Sequence, residues 1–211
     1  MVDPDAEAEP RRPYHHGNLR HALVAATLKL IEERGPLGFT LAEAARAAGV
    51  SNAAPYRHFR GRDELVEEVA AQGFVLFADR LERAWNDGRP SALSGFMATG
   101  RAYLDFAREN PGYYVAMFES GVAITANPEL ARAADRALSV LVRAAERLAA
   151  PLPAERRPPA TMVANHIWAL SHGVVELFAR GRPGGRAPYS ADEMLESATV
   201  IYLRGLGVVP A

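Results

Sequence analysis

Apolar residues recur every three to four positions along most of the chain, which is the spacing of amphipathic helices. No segment shows the alternation that is typical of strands, and clusters of Gly, Pro and Asn separate the apolar segments. The pattern therefore predicts an all-α protein of about nine helices. Their predicted bounds are about 19–34, 40–48, 51–59, 63–85, 91–109, 113–120, 128–149, 160–180 and 191–206.

The second and third predicted helices are short and are joined by the turn Ala48-Gly49-Val50-Ser51. Thr40 and Glu43 have the spacing of a capping box, in which each side chain bonds to the other residue's backbone N–H. Gly49 is suited to the left-handed conformation that a tight turn requires. Three short helices joined in this way are typical of a helix-turn-helix, with the third helix facing DNA.

The charge is distributed unevenly. Residues 11–62 contain nine basic and three acidic residues, a local net charge of +6, whereas the whole chain has a net charge of −1. A solvated basic face would be an ordinary explanation, but next to a helix-turn-helix this charge indicates a nucleic-acid-binding end. Asn can bond to an adenine edge and Arg to a guanine edge, while Tyr and His suit phosphate oxygens.

The stretch from Thr40 to Leu65, TLAEAARAAGVSNAAPYRHFRGRDEL, resembles the signature of the TetR family, named for the tetracycline repressor. The resemblance is specific over roughly residues 18–66. It implies a three-helix DNA-binding domain, here called the head (residues 18–64), and a helical ligand-binding and dimerisation domain, here called the body (residues 65–211). Residues 1–17 are expected to form a flexible arm.

The resemblance also implies roles for individual head residues. Two departures from the family pattern matter: Arg62 stands where Lys is usual, and Ala53 and Ala54 offer only methyl groups for base contact. Direct readout is therefore expected to depend on Asn52 and Arg57. The implied phosphate contacts are Thr40, Tyr56, His58 and Arg62, and the implied base-reading residues are Asn52, Ala53, Ala54 and Arg57.

A weaker resemblance concerns the body. Trp168-Ala-Leu-Ser-His172-Gly173, following the stretch 110–118 (NPGYYVAMF), resembles the C-terminal type of this family that is marked by a Trp…His-Gly helix. On a helical projection Asn165, Trp168 and His172 lie opposite the apolar face formed by residues such as Val163 and Ile167. That polar stripe suits a pocket wall, a dimer interface or an ordinary buried histidine. The candidate ligand-binding residues are Phe77, Tyr103, Tyr114, Met117, Phe118, Asn165, Trp168 and His172.

Two apolar faces predict a homodimer. The last helix carries a stripe of Met194, Ala198, Ile201 and Gly205, and the 163–178 segment has the apolar face described above. Together they form more apolar surface than a monomer is expected to expose. We therefore expect a two-fold dimer built mainly from these two helices.

Several classes of function lack support in the sequence. The chain has no Cys, and His172 with Glu176 has no third ligand at useful spacing, so no metal or cofactor is expected. The sequence contains no nucleophile–base pair and no phosphate-binding loop, so it does not indicate an enzyme. No uncharged apolar run reaches 18 residues, so a cytoplasmic protein without membrane partners is expected.

These observations predict a regulator that binds double-stranded operator DNA. The expected mode of action is repression at a pseudo-palindromic operator, relieved by an unidentified small-molecule effector. The alternatives are a dimeric regulator without an effector and, with less support, an activator.

Overall fold

The computed structural model describes residues 16–180 and 188–209, without the side chains of residues 16–18 and 126. The described residues form eight α-helices and no strand, which confirms the all-α prediction. None of the described helices is both long and apolar enough to cross a membrane. The helices are α1 (His16–Arg34), α2 (Leu41–Ala47), α3 (Arg62–Trp85), α4 (Ala92–Glu109), α5 (Pro111–Phe118), α6 (Pro128–Ala149), α7 (Ala160–Val174) and α8 (Ala191–Gly205).

The third predicted helix does not form an α-helix in the structure. The stretch from Ser51 to Phe59 forms successive tight turns, with a 3-10 turn at Pro55–Arg57, instead of an α-helix. Pro55 has no N–H to donate, and Ala54 N donates to Ser51 O at 3.0 Å while His58 N donates to Pro55 O at 2.8 Å. These bonds between residues three apart replace the α-helical pattern, so the element is a compact turn.

The long helix α3 connects the head to the body. It packs against α1 of the head and against α4, α5 and α6 of the body. A continuous row of buried side chains runs along it, from Leu65 through Phe74 and Phe77 to Trp85. Because one helix packs against both regions, any change in its packing in the body can reach the head.

Helix α7 corrects the predicted assignment of its faces. Val163, Ile167 and Val174, expected at a dimer interface, are buried within the protomer against its own core. Met162 and Asn165 lie on the exposed face instead. Periodicity correctly found two faces on this helix, but it could not tell which neighbouring helix covers each face.

The C-terminal end of α7 continues into a π-helical turn, Val175–Ala179, in which Arg180 N donates to Val175 O at 2.8 Å. This wider turn stands where the sequence predicted a continuous α-helix to residue 180. Of the predicted N-terminal arm, residues 1–15 lie outside the described residues, and residues 16–17 begin α1.

Candidate nucleic-acid interface and ligand site

The turn after α2 has the geometry that the sequence predicted for Gly49. Gly49 has a φ of +71°, in the left-handed region that favours glycine. Its N–H donates to Arg46 O at 3.0 Å, and the N–H of Val50 donates to Ala45 O at 3.0 Å. This pair of bonds is a Schellman motif, which ends α2 sharply and directs the chain into the Ser51–Phe59 segment.

The outer surface of that segment consists of side chains suited to DNA. Asn52, Ala53, Tyr56 and Arg57 are exposed, and the Tyr56 ring keeps 61% of its accessible surface. Ala54 and His58 lie half-buried behind them. These exposed side chains supply the hydrogen-bonding groups that phosphate oxygens and base edges require.

Two buried residues hold the exposed turn in place. Pro55 is buried, and Phe59 retains only 2% of its surface within the apolar core. The guanidinium carbon of Arg20 lies 5.5 Å from the centre of the Phe59 ring, and Arg20 forms an ion pair with Glu68 of α3. The turn is therefore anchored to both α1 and α3, which gives the exposed side chains a fixed position.

Ion pairing divides the basic residues of the head into two groups. Arg34 pairs with Glu43 at 3.1 Å, and Arg62 pairs with Asp63 at 2.6 Å. Arg62 also donates to Leu37 O at 3.2 Å, so its guanidinium braces the start of α3 against the α1–α2 loop. Arg57 is exposed and has no ion pair among the described residues. Arg57 is therefore the freer of the two candidate arginines to contact a base.

Thr40 is an exposed capping residue. Its hydroxyl accepts a hydrogen bond from the Glu43 N–H at 3.2 Å, and the Glu43 carboxylate accepts one from the Thr40 N–H at 2.8 Å. The backbone N–H of Thr40, followed by its hydroxyl, holds the pKa of the Glu43 carboxyl below its usual value. The capping box is present as predicted, and it fixes Thr40 at the exposed start of α2.

Most of the candidate ligand-binding residues meet in one place in the body. Their rings form what we call the aromatic cluster, which joins α3, α4, α5 and α7. Phe77 is packed 5.0 Å from Tyr103 and 5.7 Å from Trp168, measured between ring centres. Its members are Phe77, Tyr103, Tyr114, Phe118, Trp168 and His172, and Met117 is buried beside it against Gly73.

The aromatic cluster has a polar end. His172 Nδ1 lies 2.8 Å from the hydroxyl of Tyr114 and 3.2 Å from that of Tyr103. Burial is the main cause that raises the pKa of both phenols, so both keep their protons at neutral pH. A neutral His172 with an unprotonated Nδ1 can accept a hydrogen bond from either hydroxyl. His172 therefore has the hydroxyls of two tyrosines as its hydrogen-bond partners.

Two residues modify the predicted site. Asn165, predicted to border it, is exposed and donates to Thr161 O at 2.9 Å, so it lies outside the aromatic cluster. Arg180, which sequence reasoning missed, places its guanidinium carbon 4.8 Å from the centre of the Tyr114 ring and pairs with Glu119 and Glu176. Its position at the end of the π-helical turn left no periodic signal to find it by.

Acidic and histidine side chains do not form a metal centre in the part of the chain that is described. Across residues 16–180 and 188–209, no three of them come together in a group that could hold a metal ion. Glu176, which follows His172 by four residues, lies 3.5 Å from Arg180. His172 is therefore engaged in hydrogen bonds with tyrosines, and Glu176 in an ion pair with Arg180.

Comparison with known proteins identifies both regions. A family model described as "Bacterial regulatory proteins, tetR family" matches residues 23–69, and one described as "Tetracyclin repressor-like, C-terminal domain" matches residues 96–201. The second match alone covers half of the chain. The chain belongs to the TetR family of transcriptional regulators.

Individual similar proteins extend this result. A solved structure of a protein with unknown function from Rhodococcus sp. RHA1 is 32% identical, with a TM-score of 0.77, and the alignment covers 92% of this chain and 98% of that one. The HTH-type transcriptional regulator YobS of Bacillus subtilis (strain 168) is 28% identical over 100 residues, which are 47% of this chain and about half (51%) of that relative.

A third similarity concerns the fold alone. AibR, solved in complex with isovaleryl coenzyme A and operator DNA, is 17% identical with a TM-score of 0.65, and the alignment covers 86% of this chain and 96% of that one. The C-terminal family model matches the residues that hold most of the aromatic cluster, but its description does not specify the Trp…His-Gly type. That finer assignment stays a prediction from the sequence.

Proposed function

We propose that this TetR-family regulator is a homodimer that represses transcription from a pseudo-palindromic operator and is released when a small molecule binds in the body. The observation that carries the proposal is the exposed Ser51–Phe59 turn. It presents Arg57, which has no ion pair among the described residues, and an open tyrosine ring on an anchored support directly after α2. A regulator of operator DNA acts where the chromosome lies, so we expect it in the cytoplasm.

The head residues divide into two roles in this proposal. Asn52 and Arg57 read base edges in the major groove, with methyl contacts from Ala53 and Ala54. Thr40, Tyr56 and His58 bind phosphates and set the register of the head on the duplex. Arg62 joins the phosphate contacts through guanidinium hydrogens not used by Asp63 and Leu37, and it supports the loop as well.

Exposed apolar side chains on α7 and α8 support the proposed homodimer. Ile201 of α8 keeps 70% of its surface exposed, Leu177 of the π-helical turn after α7 keeps 71%, and Met162 of α7 is also exposed. His166 of α7 and Tyr202 of α8 share a hydrogen bond of 2.9 Å, which joins the two helices at this face. The small residues Ala198 and Gly205 would let a partner helix approach closely, so this face suits a two-fold four-helix contact.

The aromatic cluster is the proposed effector site. Phe77, Tyr103 and Tyr114 are fully buried and form a fixed floor, whereas Trp168 and His172 are half-buried. The rings are packed against one another, so a ligand must move the half-buried residues to enter. A mainly apolar ligand with one polar end fits these walls, because its polar group can take over the hydrogen bonds of His172. AibR, a protein of this fold, was solved in complex with both isovaleryl coenzyme A and operator DNA, which supports a regulator of this fold that binds a small molecule as well as DNA.

The other candidates have less support. A dimeric regulator without an effector would need the same head and the same α7–α8 face, so the aromatic cluster alone separates it from our proposal. An activator would use the same contacts to DNA. An enzyme is not supported by either family match, since both describe regulatory proteins.

The proposal is tested by selecting bound duplexes from a random DNA pool with the purified chain. We expect enrichment of a pseudo-palindrome whose half-sites are separated by whole turns of the double helix, bound by two protomers. Sedimentation of the protein should show a dimer, and Ile201→Glu should shift it toward monomer and weaken binding. Recovery of unrelated sequences only, or a wild-type monomer at micromolar concentration, would contradict the proposal.

A further inference from the structure

One short helix contacts both the head and the aromatic cluster. The first turn of α5 contains Gly112, which is buried against α1 of the head. The following turns of the same helix carry Tyr114 and Phe118, two members of the aromatic cluster. Since α5 has only eight residues, its two ends cannot move independently without breaking the helix.

The start of α5 is capped by a residue of the head. Asn110 stands at the N-cap position, but its side chain makes no cap hydrogen bond, and Pro111 has no N–H to offer. The N–H of Gly112 instead donates to the Glu32 carboxylate of α1 at 3.2 Å, over a separation of 80 residues. A carboxylate at this position also interacts favourably with the positive end of the helix dipole. Glu32 therefore replaces the missing local cap.

The fit between the two helices depends on glycine. A Cβ at Gly112 would lie 2.9 Å from Glu32 Oε1 and 3.1 Å from Leu28 Cδ2, which is too close for either contact to remain as it is. On the other side of α5, a Cβ at Gly73 of α3 would lie 2.7 Å from Met117 Sδ. The helix is thus held tightly between α1 and α3, the two helices that anchor the DNA-facing turn.

From this arrangement we infer that Glu32 is a positioning residue that couples the aromatic cluster to the orientation of the head. A shift of Tyr114 and Phe118 moves the N-terminus of α5, and the Glu32 cap transmits that movement to α1. Because coupling between two sites is reciprocal, DNA bound to the head must also alter the aromatic cluster through the same contact. The inference rests on the proposed function, since it assumes that operator DNA and an effector compete through these two regions.

The reciprocal effect can be measured without knowing the effector. The protein is labelled with 5-fluorotryptophan, whose fluorine resonances report on Trp85 and Trp168 and are assigned with Trp85→Phe. The probe is the duplex enriched from the random pool. We expect this duplex to shift the Trp168 resonance in the wild-type protein, and we expect Glu32→Ala to lose the shift while still binding the duplex.

Three further variants separate the cap from other causes. Glu32→Gln keeps an acceptor oxygen and should retain the shift. Glu33→Ala removes a neighbouring acidic side chain that makes no hydrogen bond or ion pair in the described structure, and it too should retain the shift. Gly112→Ala keeps the charge and favours the helix but displaces the Glu32 carboxylate, so it should lose the shift. Should Glu32→Ala fail to fold, Gly112→Ala decides the question.

The failure of this inference differs from the failure of the proposed function. If no duplex is enriched, the proposed function is wrong and the coupling falls with it. If the duplex binds but leaves Trp168 unchanged in the wild-type protein, or if the shift survives in Glu32→Ala, the inference is overturned and the DNA-binding function stands. Where Glu32→Ala does not fold, survival of the shift in Gly112→Ala overturns the inference.

Discussion

The DNA-facing turn and the aromatic cluster are built in opposite ways. The turn takes its candidate side chains from one contiguous stretch, Ser51–Phe59, and presents them to solvent above two buried anchors. The cluster assembles six rings from four helices, from Phe77 to His172, and buries most of their surface. The contrast shows that a side chain exposed on the anchored turn is available for recognition and contributes little to stability. A side chain in the cluster contributes to stability in addition to its proposed role in binding the effector.

Substitutions in the two regions should therefore separate stability from DNA binding. Phe77→Ala removes a fully buried ring from the centre of the cluster and should lower the free energy of unfolding by about 3–5 kcal/mol. Tyr56→Ala removes an exposed ring, so it should change the free energy of unfolding by less than about 0.5 kcal/mol while weakening DNA binding. Urea unfolding of both variants measures the difference. Similar losses in the two variants would contradict the comparison.

Within the head, the two arginines should differ in kind. Arg57→Ala is expected to lose about 1–3 kcal/mol of binding free energy at the base pair that Arg57 reads, and to relax the base preference at that position. Arg62→Ala should weaken binding to all DNA sequences alike. It should also destabilise the head, because Arg62 donates a hydrogen bond to Leu37 O. Binding titrations on the enriched duplex and its single-base variants, with unfolding curves for both proteins, test this. A uniform loss in Arg57→Ala would show that Arg57 only positions the head.

Alkaline pH should affect the cluster through its tyrosines. Burial raises the pKa of Tyr103 above its usual value of 10.0, so the unfolded chain loses this proton at lower pH than the folded protein does. The stabilisation that comes from this difference in pKa has its full value below pH 10 and declines above it. For one such group the decline is at most about 1.4 kcal/mol per pH unit. Tyr103→Phe should show a shallower decline than the wild type in urea unfolding between pH 9 and 11. Parallel curves would mean that the phenol is not protected by burial.

Two matched capping boxes give the smallest expected effects. Thr40 with Glu43 starts α2 in the head, and Ser190 with Glu193 starts α8 in the body. Thr40→Ala and Ser190→Ala should each cost about 1 kcal/mol of stability, measured by thermal unfolding. Only Thr40→Ala should also weaken DNA binding, since only Thr40 lies at the proposed phosphate contact. Equal affinities for the two variants would remove Thr40 from the interface.

The same contrast explains what could be predicted from the sequence. The turn after α2 was predicted down to the left-handed Gly49, because a turn motif depends on residues next to one another. The aromatic members of the cluster were found from a periodic stripe and a resemblance. Which face of α7 is covered was predicted wrongly, since Val163 and Ile167 look the same whether a core or a partner buries them.

Two further features had no usable sequence signal. The segment around Pro55 is too short for periodicity to distinguish an α-helix from successive tight turns, and the loss of one N–H at proline changes its hydrogen-bond pattern. The contact of Arg180 with Tyr114 joins residues far apart in sequence after a π-helical turn. Contacts of this kind depend on how helices pack, which local pattern does not determine.

The central claim is that the exposed turn of the head reads a specific DNA sequence. It is tested most directly by measuring the affinity of the purified chain for the enriched duplex and for a scrambled duplex of the same composition, at the same physiological salt concentration. We expect the enriched duplex to be bound at least about 10³-fold more tightly, as specific regulators bind their sites. Affinities for the two duplexes that agree within experimental error would contradict it.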